Sequence, residues 1–276
     1  MADIQRRRLG VELRRLREAA GYTQEAAAEL LDRDQGAISR IELGQRRIRQ
    51  RELAQLLDAY GVTDPKLREQ LTELARAGRE RPWYAPYVSS LSHNYASYIG
   101  FESEATEIHC WESALIPGAV QTEQYALEVI RGLGRGLDEE EVQRRVTVRM
   151  KRQEQIAKTR PQLWVIMWEP ALRVGKPDTL RNQLEHLLEL AAEPRITFQV
   201  VPLATGFHPG LHLGSMHILR FRPPDDEVIY LETAVGEIYP TGEMADVCRL
   251  SYDYLRAYAL DPKSSLDVID RIRRDI

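Results

Sequence analysis

The run Asp34-Gln35-Gly36-Ala37-Ile38-Ser39-Arg40-Ile41 sets an amide, a hydroxyl and a guanidinium on one side of a short helix. At 100° per residue, Gln35, Gly36, Ser39 and Arg40 fall on the face opposite Ile38 and Ile41. An amide on such a face can pair in bidentate fashion with adenine, and a guanidinium with guanine or a phosphate. Arg46, Arg47 and Arg49 follow at once and suit phosphate contacts. The competing reading is a solvated polar face on an ordinary helical bundle.

Other residue groups could do chemistry elsewhere. His208, His212 and His217 crowd one short stretch, but a metal pair at His208 and His212 would need a helix that Pro209 and Gly210 break. A Gly-rich connection before a strand is the simpler reading, and no metal is expected. Glu169 and Glu232 each close an apolar strand, and a general acid–base pair would need the two carboxylates within several ångströms. The chain has no GxxxxGK[ST], HExxH, GxSxG or strand-borne GxGxxG motif. No catalytic residue, no enzyme activity and no cofactor are expected.

The elements that must hold these groups follow from spacing. Leu9, Leu13, Leu16 and Ala20 share one helical face, which Gly21 ends. Thr23 is an N-cap for a second helix carrying Ala27, Leu30 and Leu31. Asp32–Asp34 form the turn, and Asp34 is the N-cap of a third helix closed by Gly44. A fourth helix carries Leu53, Leu56, Leu57 and Tyr60 up to Gly61, and Asp64-Pro65 opens a fifth with Leu67, Leu71, Leu74 and Ala75. Two helices joined by so short a turn form a helix-turn-helix, whose second helix can enter a major groove. The run Arg6-Arg7-Arg8 is either a solvated helix start or a phosphate-contacting arm.

Residues 81–100 break the pattern with Pro82, Pro86 and several aromatics and serines, so a linker is placed there. Trp83, Tyr84 and Tyr87 are too apolar for a free tether and are expected to pack on the second domain, with an aromatic ligand cage as the alternative. Glu102–Glu112 reads as helix or strand. Thr122–Leu133 and Asp138 to about Lys158 read as helices. Leu163–Trp168, Pro177–Ala192 and Ile196–Val201 read as strand, helix, strand, a βαβ unit. Met216–Phe221, Val228–Glu232 and Ala234–Tyr239 read as further antiparallel strands, before closing helices at about 243–259 and 262–273. The expected fold is an all-α five-helix domain at 1–80, then an α+β domain at 101–276 whose mixed sheet contains one βαβ unit.

Composition fits this picture. Of 276 residues, 43% are hydrophobic and 29% charged, a globular balance. Residues 1–81 hold 17 basic and 14 acidic residues, which leaves 21 basic and 28 acidic in the rest of the chain. Only the N-terminal piece is therefore suited to a polyanion, while the acidic body would suit a basic or mixed partner surface. Two cysteines, Cys110 and Cys248, exclude a disulfide scaffold. No apolar run is long enough for a membrane span and no secretory leader is read, so a cytoplasmic protein without membrane contact is expected.

The stretch GYTQEAAAELLDRDQGAISRIELGQR resembles the repressor/Cro-like (XRE-type) helix-turn-helix family. The Tyr-Thr-Gln start, the Ile38 and Ile41 pair and the Ile-Glu-x-Gly ending at 41–44 carry the likeness over about residues 6–63. The resemblance implies binding to double-stranded DNA by a dimer on a pseudo-palindromic operator. It also gives Gln24 a role in touching the DNA backbone or bracing a base reader. YIGFESEATEI, IPGAVQTEQYA, RMKRQEQI, QLEHLLELA, ITFQVVPLATGFHPG and VIYLET resemble, in order, the C-terminal domain of WhiJ-like actinobacterial regulators. That resemblance implies an antitoxin-like transcription regulator, often paired with a small BldB-like partner protein. A small-molecule pocket in the second domain, lined by Trp83, Trp111, Trp164 or Trp168, is the alternative.

Overall fold

The computed structural model describes residues 4–44, 46–77, 83–222, 227–233 and 236–276. The expected domain end at residue 80, the first two linker residues and positions 234 and 235 of the last expected strand lie outside these. The chain divides into two compact units, Met1–Phe101 and Glu102–Ile276.

The first unit holds the five expected helices: α1 (Ile4–Ala19), α2 (Gln24–Glu29), α3 (Gln35–Glu42), α4 (Gln50–Ala59) and α5 (Pro65–Ala77). Leu9 and Leu13 of α1, Ile38 and Ile41 of α3, Leu53, Leu56 and Leu57 of α4 and Leu71 of α5 make one core. At Gly44 the chain turns through φ +69°, and an added Cβ would lie 2.8 Å from the Arg7 backbone. Only glycine combines that conformation with that approach. The basic run at Arg6, Arg7 and Arg8 lies within α1 and is no extended arm; Arg7 stacks over the Phe101 ring at 5.8 Å.

Two expectations are corrected here. α2 ends at Glu29, so the turn to α3 spans Leu30–Asp34 and is longer than Asp32–Asp34. Leu30 keeps helical dihedrals, and Asp32, with a left-handed φ of 51°, then stops the chain as a C-terminal glycine usually does. The segment read as a linker is also largely structured. Ala85–Ser90 forms a 3-10 turn and α6 runs through His93–Glu104. Trp83 packs edge-on against the buried Tyr84 at 5.6 Å, and both group with the first unit.

The second unit is a six-stranded sheet in the order β3-β2-β1-β4-β5-β6. Its strands are β1 (Glu107–Glu112), β2 (Gln162–Trp168), β3 (Ile196–Val201), β4 (Ser215–Arg220), β5 (Glu227–Thr233) and β6 (Gly236–Ile238). β2 and β3 are parallel, joined by α9 (Pro177–Leu190), as the βαβ reading requires. β1 is also parallel to β2, so the connection through α7 (Glu123–Leu133) and α8 (Glu139–Thr159) makes a second parallel crossover. β4, β5 and β6 pair antiparallel. The central strands are buried on both faces, which is why Leu163–Met167 reads as one apolar run. One face carries Trp111, Ile166, Met216 and Ile218 against Ala245, Cys248, Tyr252 and Leu255 of α10 (Glu243–Tyr258). α11 (Pro262–Asp275) packs on β3 and α9. Among the described residues, no helix is long and apolar enough to cross a membrane.

Candidate nucleic-acid interface

Local chemistry sets the α2–turn–α3 angle. Thr23 caps α2 by accepting a hydrogen bond from the Ala26 N–H at 3.1 Å. The Arg33 N–H then returns to the Ala28 carbonyl at 3.0 Å and closes the left-handed turn. Arg33 also pairs with Glu52 of α4 at 2.8 Å, tying the turn to the next helix. Burial alone would raise the Glu52 carboxyl, but hydrogen bonds from the Arg49 N–H and the Arg33 guanidinium outweigh it and lower its pKa.

The end of α3 is pinned from within. Glu42 is buried and accepts from Arg17 Nε at 2.6 Å and Nη2 at 3.1 Å. Arg17 also donates to the Tyr22 carbonyl at 2.8 Å, and the hydrogen bond with Glu42 raises its pKa. Gln24 donates from Nε2 to Glu42 at 2.8 Å. Gln24 therefore braces α2 against the carboxylate that holds α3. On the other side, α1 touches α3 backbone to backbone at Gly10, where an added Cβ would meet the Ile41 carbonyl at 2.6 Å.

This frame leaves the polar side of α3 outward. Gln35 and Arg40 are exposed, Gly36 and Ser39 half-buried. Asp34 occupies the N-cap position, but its side chain makes no capping bond. Its Oδ1 instead meets Arg40 Nη2 at 3.4 Å. Gly36 makes this possible: a Cβ there would sit 2.9 Å from Asp34 Oδ1 and 3.1 Å from Arg40 Nη1. Beyond α3, the Arg46 N–H closes onto the Arg40 carbonyl at 3.0 Å, and buried Ile48 anchors the loop. Arg47 and Arg49, on either side of Ile48, are exposed; Arg46 is half-buried. Gln35, Gly36, Ser39 and Arg40 thus share one outward surface, with Arg46, Arg47 and Arg49 on the loop that follows.

The other candidate groups are dispersed. His208 is buried against Trp111 and Trp168, with ring centroids at 5.6 and 5.9 Å, and burial lowers its pKa. His212 is exposed. His217 lies on β4, directly across from Cys110. Glu169 accepts from the Leu203 N–H and from Arg173, both at 3.0 Å. Three strand spacings, about 14 Å, separate the β2 and β5 ends that carry Glu169 and Glu232, too far for a carboxylate dyad. Trp83 belongs to the first unit, while Trp111, Trp164 and Trp168 belong to the second. There Trp164 donates to Gln199 at 2.7 Å and lies under Arg256 at 4.4 Å.

A polar group that the spacing did not reveal sits at the junction of β1 and β4. Ser215 Oγ donates to Glu112 Oε1 at 2.7 Å, His217 Nε2 lies 3.1 Å from the same oxygen, and Cys110 Sγ lies 3.7 Å from His217 Nδ1. Burial would lower the imidazole pKa, but the Cys110 sulfur and the Glu112 carboxylate outweigh it and hold it well above the ordinary range. The pairing of β1 with β4 brings these residues together across more than 100 positions of sequence.

A short, capped helix, a left-handed turn and a second helix with a polar outer face define a helix-turn-helix protein, and residues 8–71 match the helix-turn-helix domain. Residues 95–271 match the domain of unknown function DUF5753, and since this covers more than half of the chain, the protein belongs to the DUF5753 family. Comparison with curated proteins and with solved structures gave no match.

Proposed function

We propose that this protein is a sequence-specific, cytoplasmic, DNA-binding transcription regulator that acts as a homodimer on a pseudo-palindromic operator. The observation that carries this reading is the outward surface of α3. Gln35, Ser39 and Arg40 are presented on a helix whose angle is held by the buried Arg17–Glu42–Gln24 group. Arg40 and Gln35 are the base readers; Arg46, Arg47 and Arg49 hold phosphates. Gln24 keeps the reader in place. The second unit supplies dimerisation and the regulatory input, taken from a small partner protein of the BldB-like type in an antitoxin-like arrangement. A second reading, a small-molecule input, is favoured by the Glu112–Ser215–His217 group. That group lies at the carboxyl ends of the parallel strands, beside the point where strand order reverses, and open α/β sheets bind ligands there.

The test is a salt series of binding to operator and to unrelated duplex. Arg40→Ala should cost about 1–3 kcal/mol on the operator only, and Arg47→Ala should weaken both duplexes alike and flatten the salt slope. If neither substitution changes affinity for any duplex, the α3 surface is not the interface.

A further inference from the structure

α10 leaves five large apolar side chains in solvent. Met244 is 62% exposed, Val247 62%, Leu250 56%, Tyr254 54% and Tyr258 46%. Their spacings of three, three, four and four residues keep them on one side of the helix, away from the side that Ala245, Cys248, Tyr252 and Leu255 press onto the sheet. The stripe runs about 21 Å along the axis.

Apart from Glu243 in the first turn, the charges of α10 are segregated from it. Asp246, Arg249, Asp253 and Arg256 follow the other flank, where Arg249 pairs with both Asp246 and Glu227 and Arg256 covers Trp164. The stripe itself therefore offers a charged partner little to recognise.

Half-exposed side chains of this size each present on the order of 100 Å², so the stripe amounts to roughly 500 Å². That is as large as the largest apolar patch of an ordinary monomer, and two such faces together reach the ~1,000 Å² of a specific interface. The order of residues is self-complementary. In an antiparallel pairing, Met244 and Val247 of one helix meet Tyr258 and Tyr254 of the other, smaller against larger, and the two Leu250 side chains lie near the axis. The two Glu243 carboxylates then stand at opposite ends, about 24 Å apart along the helices, with no like charges opposed.

We propose that this face of α10 is where a second copy of the chain packs, antiparallel, about a twofold axis near Leu250. The inference rests on the dimeric reading above and gives it a surface. Its test reads mass and not DNA affinity, so the two can fail separately. Light scattering of the full chain at 1–20 µM should give twice 31.7 kDa. Leu250→Asp should weaken self-association by at least about 100-fold, a loss expected when a charge enters the centre of an apolar interface. Its circular dichroism should match the parent, because position 250 is exposed, and its melting should match the parent diluted below the range in which it associates. Leu250→Cys should form a covalent dimer under mild oxidation, while Asp178→Cys, at an exposed site on α9, should not. A monomeric parent, or a dimer that survives Leu250→Asp, would overturn the proposal.

Discussion

Replacing Glu42 by Ala tests how α3 is held. The carboxylate is buried and receives two bonds from Arg17 and one from Gln24. Its removal leaves the Arg17 guanidinium, whose side chain is only 8% exposed, with the Tyr22 carbonyl at 2.8 Å and a longer, 3.4 Å contact to the half-exposed Glu18. Breaking a buried pair from one side costs about 3–5 kcal/mol, and the two surviving contacts argue for the lower end, about 3 kcal/mol. In a unit of this size each kcal/mol moves the midpoint by about 4–8 °C, so the N-terminal transition should fall by at least about 12 °C. The assay is a thermal melt of the full chain followed by Tyr and Trp fluorescence, with a urea titration to obtain the free energy. The double substitution Arg17→Met with Glu42→Leu should cost clearly less than Glu42→Ala alone, because no buried charge is stranded. A Glu42→Ala loss below about 1 kcal/mol, or a double variant as damaged as the single one, would show that packing and not this ion pair fixes α3.

Three further outcomes are expected. Gly10→Ala should destabilise the first unit by about 2–3 kcal/mol in the same melt, since its methyl group would overlap the Ile41 and Glu42 carbonyls and helix backbones yield little. Gly36→Ala should instead stabilise by roughly 0.5 kcal/mol through helix propensity, because the atoms it displaces are the mobile ends of Asp34 and Arg40; a loss above 1 kcal/mol would mean that those ends cannot move. His217 should stay protonated at pH 7, as read from imidazole ¹⁵N shifts. Its folded pKa lies well above 6.5, so its contribution to stability is fully present below pH 6.5 and is lost as pH rises through the raised value. Unchanged stability of His217→Gln relative to the parent across that window would refute the sign.

Much of the frame was legible because local rules govern it. Thr23, Asp64-Pro65, Thr122 and Asp138 announce helix starts by side-chain chemistry that acts over three residues, and Gly21, Gly44 and Gly61 announce ends by a backbone conformation. The parallel pair β2–β3 was legible because a single amphipathic helix separates two apolar runs. The rest depended on distance along the chain. Arg17 and Glu42 stand 25 residues apart, and nothing in the spacing of either marks a partner. β1 meets β2 only after two helices, so its alternation of Ile108 and Cys110 competed with a helical period. α6 was obscured by its own aromatic and serine content, which suits a buried helix but gives no clear polar face. Asp32 escaped because aspartate in a left-handed turn has no sequence mark that distinguishes it from aspartate at a cap.

If α3 is the reading surface, the Asp34–Arg40 contact over Gly36 divides labour on it. Arg40 comes to any duplex with a carboxylate beside it, and that carboxylate does not leave when Arg40 turns to a base. Asp34 and Arg40 together therefore bring no net charge, and on the proposed function Arg40 would contribute little to general adhesion. On the proposed function it would exchange one partner for another, and a guanine edge, which accepts two of its hydrogen bonds, would compensate best. On the proposed function, Arg47 and Arg49 would supply grip on any duplex, whereas Arg40 would decide where that grip lasts. On random DNA the chain should slide with Arg40 still folded back on Asp34, and stop where the arginine lets go.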